Sequence, residues 1–479
     1  MKNASLTLGY IALITLITVN FLKAQPFEGK LLGRWSDSTL VGSRFYDNTY
    51  NEIWGLAVNG HEYAVIGSTW GTHFIDVTDP TKPYEAFKIA GAAQGDGIVH
   101  RDYHDYHCLL YAVSDEGNST LQIMDISELP DKITVLYDDR SEITRAHNIF
   151  IDTSAGKLYG LLVRGKNKSA AMSIYDLTEN PLKPKLLGSY HKFGDLNVGH
   201  VHDAYVRNNL AFLHCGPEGL AIVDFSNPLE PNTLGTLQTD EYPYGGYNHS
   251  GWLDDDGDYY YMADETHGYP MKVLDMRDVR FPKAINTFQG KINSPNSIPH
   301  NLIVNNHFLY VSNYYDGLQV FDITNPRTPV PYMFYSTSDE PNKKSYKGAW
   351  GVYPFLPSGN ILVSDMQKGL FIIKGVDPDH NAIYNCGEIT TATTKAGSSP
   401  FKIKIEDHAL QIYFDNSSQN NFIKDIRIYD LSGQLLKYEM VASGSGEIRI
   451  EIPRGAHGIC FLEISSDQTK TIRKIYLSH

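Results

Sequence analysis

The sequence has few cysteines, no paired-cysteine motif and an excess of acidic over basic residues. Only four of its 479 residues are cysteine. No CxxC pair occurs among them, which excludes both a disulfide scaffold and a cysteine zinc cluster. The 41 basic residues face 55 acidic ones, giving a formal net charge of −14. This balance argues against nucleic acid or an anionic membrane surface as a partner.

The common catalytic signatures are also missing. The motifs GxSxG, HExxH, GxxxxGK[ST] and GxGxxG do not occur. A Ser/His/Asp site or a pair of carboxylates assembled from separate loops stays open, because such sites are recognised by geometry rather than by spacing. The sequence therefore leaves open whether the protein is an enzyme, and it favours a binding role.

Long apolar runs are confined to the N-terminus. The segment begins with Lys2, is apolar over 6–22 and ends in a small residue, Ala24, which predicts a secretory signal peptide over 1–24. Its interior polar residues favour this interpretation over a transmembrane anchor, so no such anchor is expected. Loss of Lys2 and Lys23 leaves 39 basic and 55 acidic residues, a balance of −16.

Tyrosine (32) and glycine (40) are abundant, as in sheets joined by tight turns. An apolar strand ending in aspartate recurs six times at intervals of 47–51 residues. The aspartates are Asp76, Asp125, Asp176, Asp224, Asp275 and Asp322. Because an active site needs one constellation and not six equal ones, we interpret these carboxylates as turn residues that accept backbone N–H groups. A period near 50 with about four short strands predicts a β-propeller.

A seventh copy of the repeat, GLFIIKG, has Lys374 in the position of the aspartate. We therefore predict an all-β fold: a seven-bladed β-propeller over 25–385, a linker over 386–400, and a small β-sandwich over 401–479. The sequence LLGRWS at 31–36 matches the outer-strand sequence KLLGSY of a later repeat. We expect it to supply the outer strand of the last blade and so to close the ring.

The large region resembles LVIVD-repeat propellers, and more specifically the choice-of-anchor B family of exported propeller proteins. The matching motifs include HRDYHDY, RAHNIFID, HVHDAYV, YNHSGWL, IPHNLIV and GAWGVYPFLPSGNILVSDMQKGLFII, in that order. The resemblance implies a surface or secreted propeller and no established reaction. One departure is His100, which stands where tryptophan is expected.

The C-terminal region resembles the type A sorting domain of the type IX secretion system. The motifs are IYDLSGQLLK, IPRGAHGICFLEI and KTIRKIYL. This resemblance implies handling by the type IX secretion machinery, passage across the outer membrane, and a location on the cell surface or outside the cell. A carbohydrate-binding sandwich is the alternative, but 401–479 contains no tryptophan for a stacking platform.

One position opens the inner strand of each repeat, and it is rich in histidine. It holds Trp54, His100, His147, His202, His249, His300 and Trp350. In a propeller these positions surround the central channel, so the five imidazoles are candidate ligands for a divalent metal such as Zn²⁺ or Mn²⁺. The alternative is a structural role in which each ring nitrogen bonds to a neighbouring blade.

A second set of candidate residues breaks the repeat pattern in the loops of the same face. It consists of Asp115, Glu116, His214, Glu218, Asp264, Glu265, His267, Asp316 and Asp365, and Asp102 and Asp203 join it from beside the histidine positions. Oxygen-rich surroundings suit Ca²⁺, whereas mixed histidine and carboxylate suit Zn²⁺ or Mn²⁺. Solvated acidic surface is the alternative interpretation.

Three functional hypotheses follow. The first is an exported module that presents this face to a protein, a glycan or a cation. The second is a metal-dependent hydrolase or lyase at the channel mouth, and the third is a surface-layer component. The pairing of Cys108, Cys215, Cys386 and Cys460 cannot be deduced from the sequence, although export permits disulfides.

Overall fold

The computed structural model describes residues 25–165, 169–291 and 294–386, together with separate strands between 401 and 477. The predicted signal peptide, and the predicted linker from 387 onward, lie outside the described residues. Within the described part, no helix has the length and apolar character needed to cross a membrane.

Seven four-stranded antiparallel blades are formed by the described residues between 25 and 386, so the predicted seven-bladed propeller is confirmed. We number them 1 to 7 by their inner strands. These are Tyr50–Val58, Arg101–Tyr106, Asn148–Asp152, Asp203–Arg207, Asn248–Leu253, Leu302–Asn305 and Ala349–Tyr353. The second strands are His61–Ser68, Leu109–Ser114, Lys157–Arg164, Leu210–His214, Tyr259–Asp264, Phe308–Ser312 and Ile361–Asp365.

The third strands carry the repeated apolar motif. They are Gly71–Asp76, Leu121–Asp125, Ser169–Asp176, Leu220–Asp224, Met271–Asp275, Leu318–Asp322 and Gly369–Ile373. The outer strands of blades 1 to 6 are Tyr84–Ala90, Thr134–Asp139, Lys185–Tyr190, Asn232–Leu237, Lys283–Phe288 and Val330–Tyr335. Second and third strands are almost wholly buried, because each blade packs its two faces against its neighbours. A short hairpin, Lys192–Phe193 with Leu196–Asn197, follows blade 3.

The N-terminal segment pairs with the last two blades. Leu31–Trp35 lies antiparallel to Gly369–Ile373 and forms the outer strand of blade 7, with Leu31 opposite Ile373. Phe27–Glu28 adds a parallel edge strand to blade 6. The two ends of the propeller are thereby joined through backbone hydrogen bonds.

The turn interpretation of the six repeated aspartates is confirmed. In each repeat one carboxylate oxygen accepts the backbone N–H two residues later, at N···O distances of 2.8–3.2 Å. These carboxylates fix the turn between the third and outer strands, and they lie outside the central channel.

The chain leaves the propeller along the lower end of the channel, where inner strands turn into second strands. Residues 377–386 bond to lower turns of blades 1, 2, 5 and 6. The contacts are Asn306 to Asp377 (3.0 Å), Asn381 to Asp255 (3.2 Å), Ala57 to Asn385 (2.7 Å) and the disulfide Cys108–Cys386. Cys215 is buried and free, and the side chain of Cys460 lies outside the part that the structure describes. This segment ties the chain exit to the lower face.

Aromatic side chains line the lower part of the channel. Trp54, His104, Phe150 and Trp252 follow one another, with ring centroids 4.5–6.3 Å apart. The upper end, where the inner strands begin, carries a different set of residues.

The C-terminal region forms two antiparallel sheets. The first has Phe401–Glu406, Ala409–Phe414 and Glu447–Glu451, and the second has Ile423–Asp430, Leu435–Met440, Gly458–Ser466 and Lys470–Leu477. The packing of these sheets into a sandwich stays a prediction.

Candidate functional site: a histidine ring at the upper end of the channel

The five predicted histidines meet in one ring with Trp350. Neighbouring ring centroids along His100, His147, His202, His249, His300 and Trp350 are 4.2–4.7 Å apart, and 5.3 Å separates Trp350 from His100. Each residue lies at or just before the start of an inner strand. Blades 2 to 7 thus contribute one aromatic side chain each.

Blade 1 departs from the predicted pattern. Trp54 is not part of the ring: its indole N–H donates to Asp105 at 2.9 Å, and its ring packs on His104. A register shift between Tyr50 and Ile53 displaces the start of this strand. The blade places Glu52 at the channel instead, a residue that the sequence reasoning missed.

Three of the histidines have their Nδ1 atoms held by oxygen acceptors. His100 Nδ1 lies 2.5 Å from Glu116, His147 Nδ1 lies 3.0 Å from Asp115, and His300 Nδ1 donates to the Trp350 carbonyl at 2.7 Å. Glu116 also accepts the backbone N–H of His100 at 3.0 Å. A histidine that donates from Nδ1 keeps the lone pair of Nε2 free, which is the usual arrangement of a metal-bound imidazole.

The other two histidines have nitrogens without partners. Neither ring nitrogen of His249 forms a hydrogen bond within the protein, although the residue is only 2% exposed, and His202 Nδ1 is likewise unpaired. Burial lowers the pKa of both rings well below its usual value, and the neighbouring histidines lower it further. Burial also lowers the pKa of His300, to about 3. These three imidazoles are therefore neutral at pH 7, as metal binding requires.

Three carboxylates adjoin the ring. Glu265 lies 3.8 Å from His249 Nε2 and accepts the Tyr314 hydroxyl at 2.5 Å. Burial raises the pKa of Glu265 to about 7. Burial acts to raise the pKa of Asp115, but the hydrogen bond and charge of His147 outweigh it and the pKa is lowered. For His100, burial acts to lower the pKa, and Glu116 reverses that effect, so the pKa is raised.

Two compact ligand sets result. His100, Asp115 and His147 form one, and His202, His249 and Glu265 form the other; within each set, one ligand atom per residue lies within 4.8 Å of the others. Both sets combine two imidazoles with one carboxylate, the donor mixture typical of Zn²⁺ and Mn²⁺ sites.

A second tier of polar residues follows further along the inner strands. Asn301 donates to Glu52 at 2.9 Å, Asn148 donates to Asp203 at 3.0 Å, and Asp102 accepts the backbone N–H of Ile149 at 2.6 Å. Burial raises the pKa of Glu52 and of Asp203 to about 7. Burial and the charges of Glu52 and Asp203 raise the pKa of Asp102 well above its usual value. Asp102 lines the channel beside the histidine positions, and Asp203 bonds to Asn148, which also lines it.

Four of the predicted loop-face residues are buried in contacts of their own. His214 bonds through both nitrogens, to Asn248 at 2.9 Å and Tyr260 at 2.8 Å. Asp264 forms a buried ion pair with Lys272. Asp316 accepts from Asn342, and Asp365 caps a turn through the N–H groups of Gln367 and Lys368; all four residues are at most 1% exposed. Second-strand ends and tight turns bury these four side chains, so they do not form open surface, and a role for them in ligand binding stays a prediction.

The remaining two, Glu218 and His267, are partly buried. His267 packs on Tyr346 at a centroid distance of 5.4 Å, and Glu218 acts electrostatically on His200. His200, which the sequence reasoning also missed, bonds to Tyr247 at 2.6 Å and lies 6.2 Å from the ring of His202. The pattern HVH, with histidine two residues before the repeated position, was the signal that could have identified it.

The space inside the ring is small. It is lined by the five histidines, Trp350 and the tier that includes Glu52 and Asp102, and it has room for ions or single waters rather than an organic molecule. The donor set, the neutral imidazoles and this size all fit a bound metal ion.

Comparisons with known proteins agree with the fold and the domain order. A model of the LVIVD repeat matches residues 198–239 and 300–337, and a model of the secretion system C-terminal sorting domain matches 406–478. The comparison with curated proteins gave no match.

Two solved structures are similar in outline. One is a protein from Lactobacillus plantarum, with 14% identity, a TM-score of 0.45, and coverage of 84% of this chain and 100% of the other. The second is a putative 6-phosphogluconolactonase from Bacteroides uniformis, with 12% identity, a TM-score of 0.45, and coverage of 87% and 100%. The blades and the two family models thus give a β-propeller that contains LVIVD repeats, followed by a C-terminal sorting domain, which implies handling by the type IX secretion machinery and export to the cell surface or outside the cell.

Proposed function

We propose that this protein is an exported binding module whose histidine ring holds a divalent transition-metal ion. The observation that carries the proposal is His249, which is 2% exposed and has two ring nitrogens without hydrogen-bond partners. An unpaired buried polar group is costly, and a metal ion would remove that cost for the nitrogen that binds it. Three neighbouring histidines are already oriented through Nδ1 for binding through Nε2.

The donor chemistry favours Zn²⁺ or Mn²⁺ over Ca²⁺. Ca²⁺ takes six to eight oxygen ligands, whereas imidazole suits Zn²⁺, and a carboxylate beside the imidazoles also admits Mn²⁺. An ion in the ring would be reached from the upper face, where a carboxylate or hydroxyl of an external glycan or protein could complete its coordination. The order of motifs across 30–375 further supports membership of the choice-of-anchor B family.

Elemental analysis of the purified mature chain is the decisive experiment. We expect bound Zn²⁺ or Mn²⁺ after dialysis, and a lower melting temperature when a chelator removes it. The variant His249→Gln should lose much of the metal. His307→Gln, which changes an exposed histidine on a lower turn of blade 6, is the matched control and should keep it. The proposal would be contradicted if the mature chain contained no metal and its melting temperature did not change when chelator or metal ions were added.

A metal-dependent hydrolase or lyase is the second candidate. Glu265 favours it, because a carboxyl with a pKa near 7 beside His249 could take a proton from metal-bound water. Turnover of chromogenic ester or phosphoester substrates that a chelator abolishes and added metal restores would support the enzyme. Absence of turnover in the metal-loaded chain would leave the binding role.

A further inference from the structure

We infer that the ring holds two metal ions rather than one. This rests on the proposed function and adds the number of ions and their positions. The first observation is the ring's width. Six rings with centroid spacings of 4.2–5.3 Å approximate a hexagon, whose radius equals its side. Even when an imidazole points straight at the channel axis, its nearest nitrogen is still roughly 3 Å from that axis. Zinc–nitrogen bonds are only about 2.0–2.1 Å long.

One central ion is therefore too far from all the histidines at once. An ion displaced toward one side reaches two neighbouring imidazoles and leaves those opposite it unbound. A single off-axis ion would therefore be bound by only some of the histidines. A second ion on the other side of the axis would be bound by the others.

The second observation is that the ligands already divide into halves. One half contains His100 and His147, whose Nδ1 atoms are held by Glu116 and Asp115. The other contains His202, His249 and Glu265. The two sets share no residue. In each set, one ligand atom from every residue lies within 4.8 Å of the ligand atoms of the other two. His300, with Nδ1 held by the Trp350 carbonyl, adjoins the second half.

The halves are close enough for the ions to act together. His147 and His202, at the boundary, have ring centroids 4.2 Å apart. Ions bound by the two sets would lie in neighbouring parts of this small ring, close enough for one ligand to bridge them, as in two-metal sites. A pair so placed binds a bridging oxygen ligand such as hydroxide or an oxyanion, so the ligand class is a small oxygen donor presented at the upper face.

The charge of the surroundings suits a pair. Glu265, Asp115 and Glu116 adjoin the ring, and Glu52, Asp102 and Asp203 lie in the tier beyond it. Within the described residues, no lysine or arginine lies at ion-pair distance from any of these six, although Arg101 and Arg145 act on Glu116 and Asp115 from further away. A bound cation would favour the ionised form of the carboxyls whose pKa values are raised in its absence.

The test is the number of ions bound per mature chain. Apo protein is titrated with Zn²⁺ and, separately, with Mn²⁺, with metal content measured after gel filtration. We expect two equivalents per chain and exchange-coupled Mn²⁺ signals in electron paramagnetic resonance. The double variants His100→Gln/His147→Gln and His202→Gln/His249→Gln should each retain one equivalent, with the coupling lost.

Four results would contradict the inference that the ring binds two metal ions. One equivalent in the parent chain contradicts it while leaving the proposed function standing, and no equivalents contradicts both. Two equivalents without magnetic coupling place the ions too far apart. A double variant counts as correctly folded when its melting temperature in chelator equals that of the parent in chelator. If such a variant loses both ions, the two halves do not bind their ions independently. His307→Gln should keep two equivalents.

Discussion

At the residue scale, the histidines of this propeller divide by how many of their ring nitrogens have protein partners. His214 uses both nitrogens, and His249 uses neither. Both are buried at the upper end of the channel, so burial alone does not identify a ligand. The distinction lies in hydrogen bonding, since a fully bonded imidazole fastens blade 4 to blade 5 and an unbonded one calls for a ligand.

His214 should make the protein sensitive to acid. Burial lowers its pKa from 6.5 to about 3, so the folded protein keeps it neutral where the unfolded chain protonates it. The contribution of His214 to the free energy of unfolding is therefore fully present above pH 6.5. Below that pH it falls by about 1.4 kcal/mol for each pH unit. His214→Gln should show a shallower fall in the free energy of unfolding between pH 6 and pH 4.5, measured by urea denaturation. An equal slope in parent and variant would contradict the assignment.

The ion pair of Lys272 and Asp264 should matter more than any surface pair. Both side chains are fully buried, and Asp264 also accepts from Tyr242 at 3.0 Å. Lys272→Met leaves the carboxylate without its cation and should cost about 3–5 kcal/mol in the free energy of unfolding. The exposed pair Lys185–Glu179 is the control, and Lys185→Met should cost less than about 1 kcal/mol. Equal losses in the two variants, measured in urea, would show that burial does not decide the cost.

At the scale of elements, the sequence predicted the residues that recur at the same position of successive blades and missed those that depart from the repeat. The six turn aspartates and the five ring histidines recur once per blade, so comparison of the repeats located them. Glu52 was missed because the irregular start of the blade 1 inner strand displaces it from the repeated position. The burial of Asp264 was missed because its partner Lys272 lies on the next strand. The Cys108–Cys386 bond spans 278 residues, a separation at which spacing carries no information.

The strand Leu31–Trp35 should hold the propeller closed. Its antiparallel partner, Gly369–Ile373, is otherwise an edge strand of wholly apolar, buried residues. Deleting 25–36 should lower the melting temperature and favour aggregation, because that edge is left unpaired. Calorimetry and light scattering measure the two effects. Unchanged unfolding would mean that side-chain packing alone closes the ring.

At the scale of the whole molecule, the ring and the chain exit lie at opposite ends of the channel. His100 immediately precedes the inner strand Arg101–Tyr106, and Cys108, which bonds to Cys386, follows its end. A strand of six residues spans roughly 20 Å. A propeller attached through its C-terminal region would thus hold the chain exit on the attached side, with the ring on the other face of the channel.

Deleting 401–479 should separate export from folding. The sorting domain lies within this range, whereas both bonded cysteines and the entire ring lie before it. In a host with a type IX system, the truncated chain should be absent from the cell surface and the medium, as fractionation and immunoblotting would measure. The full-length His307→Gln variant is the control for normal export. The retained chain should still form the Cys108–Cys386 bond on non-reducing gels and should bind the same number of metal ions as the full chain. Export of the truncated chain would show that the sorting information lies elsewhere, and a lost disulfide would show that the propeller needs the tail to fold.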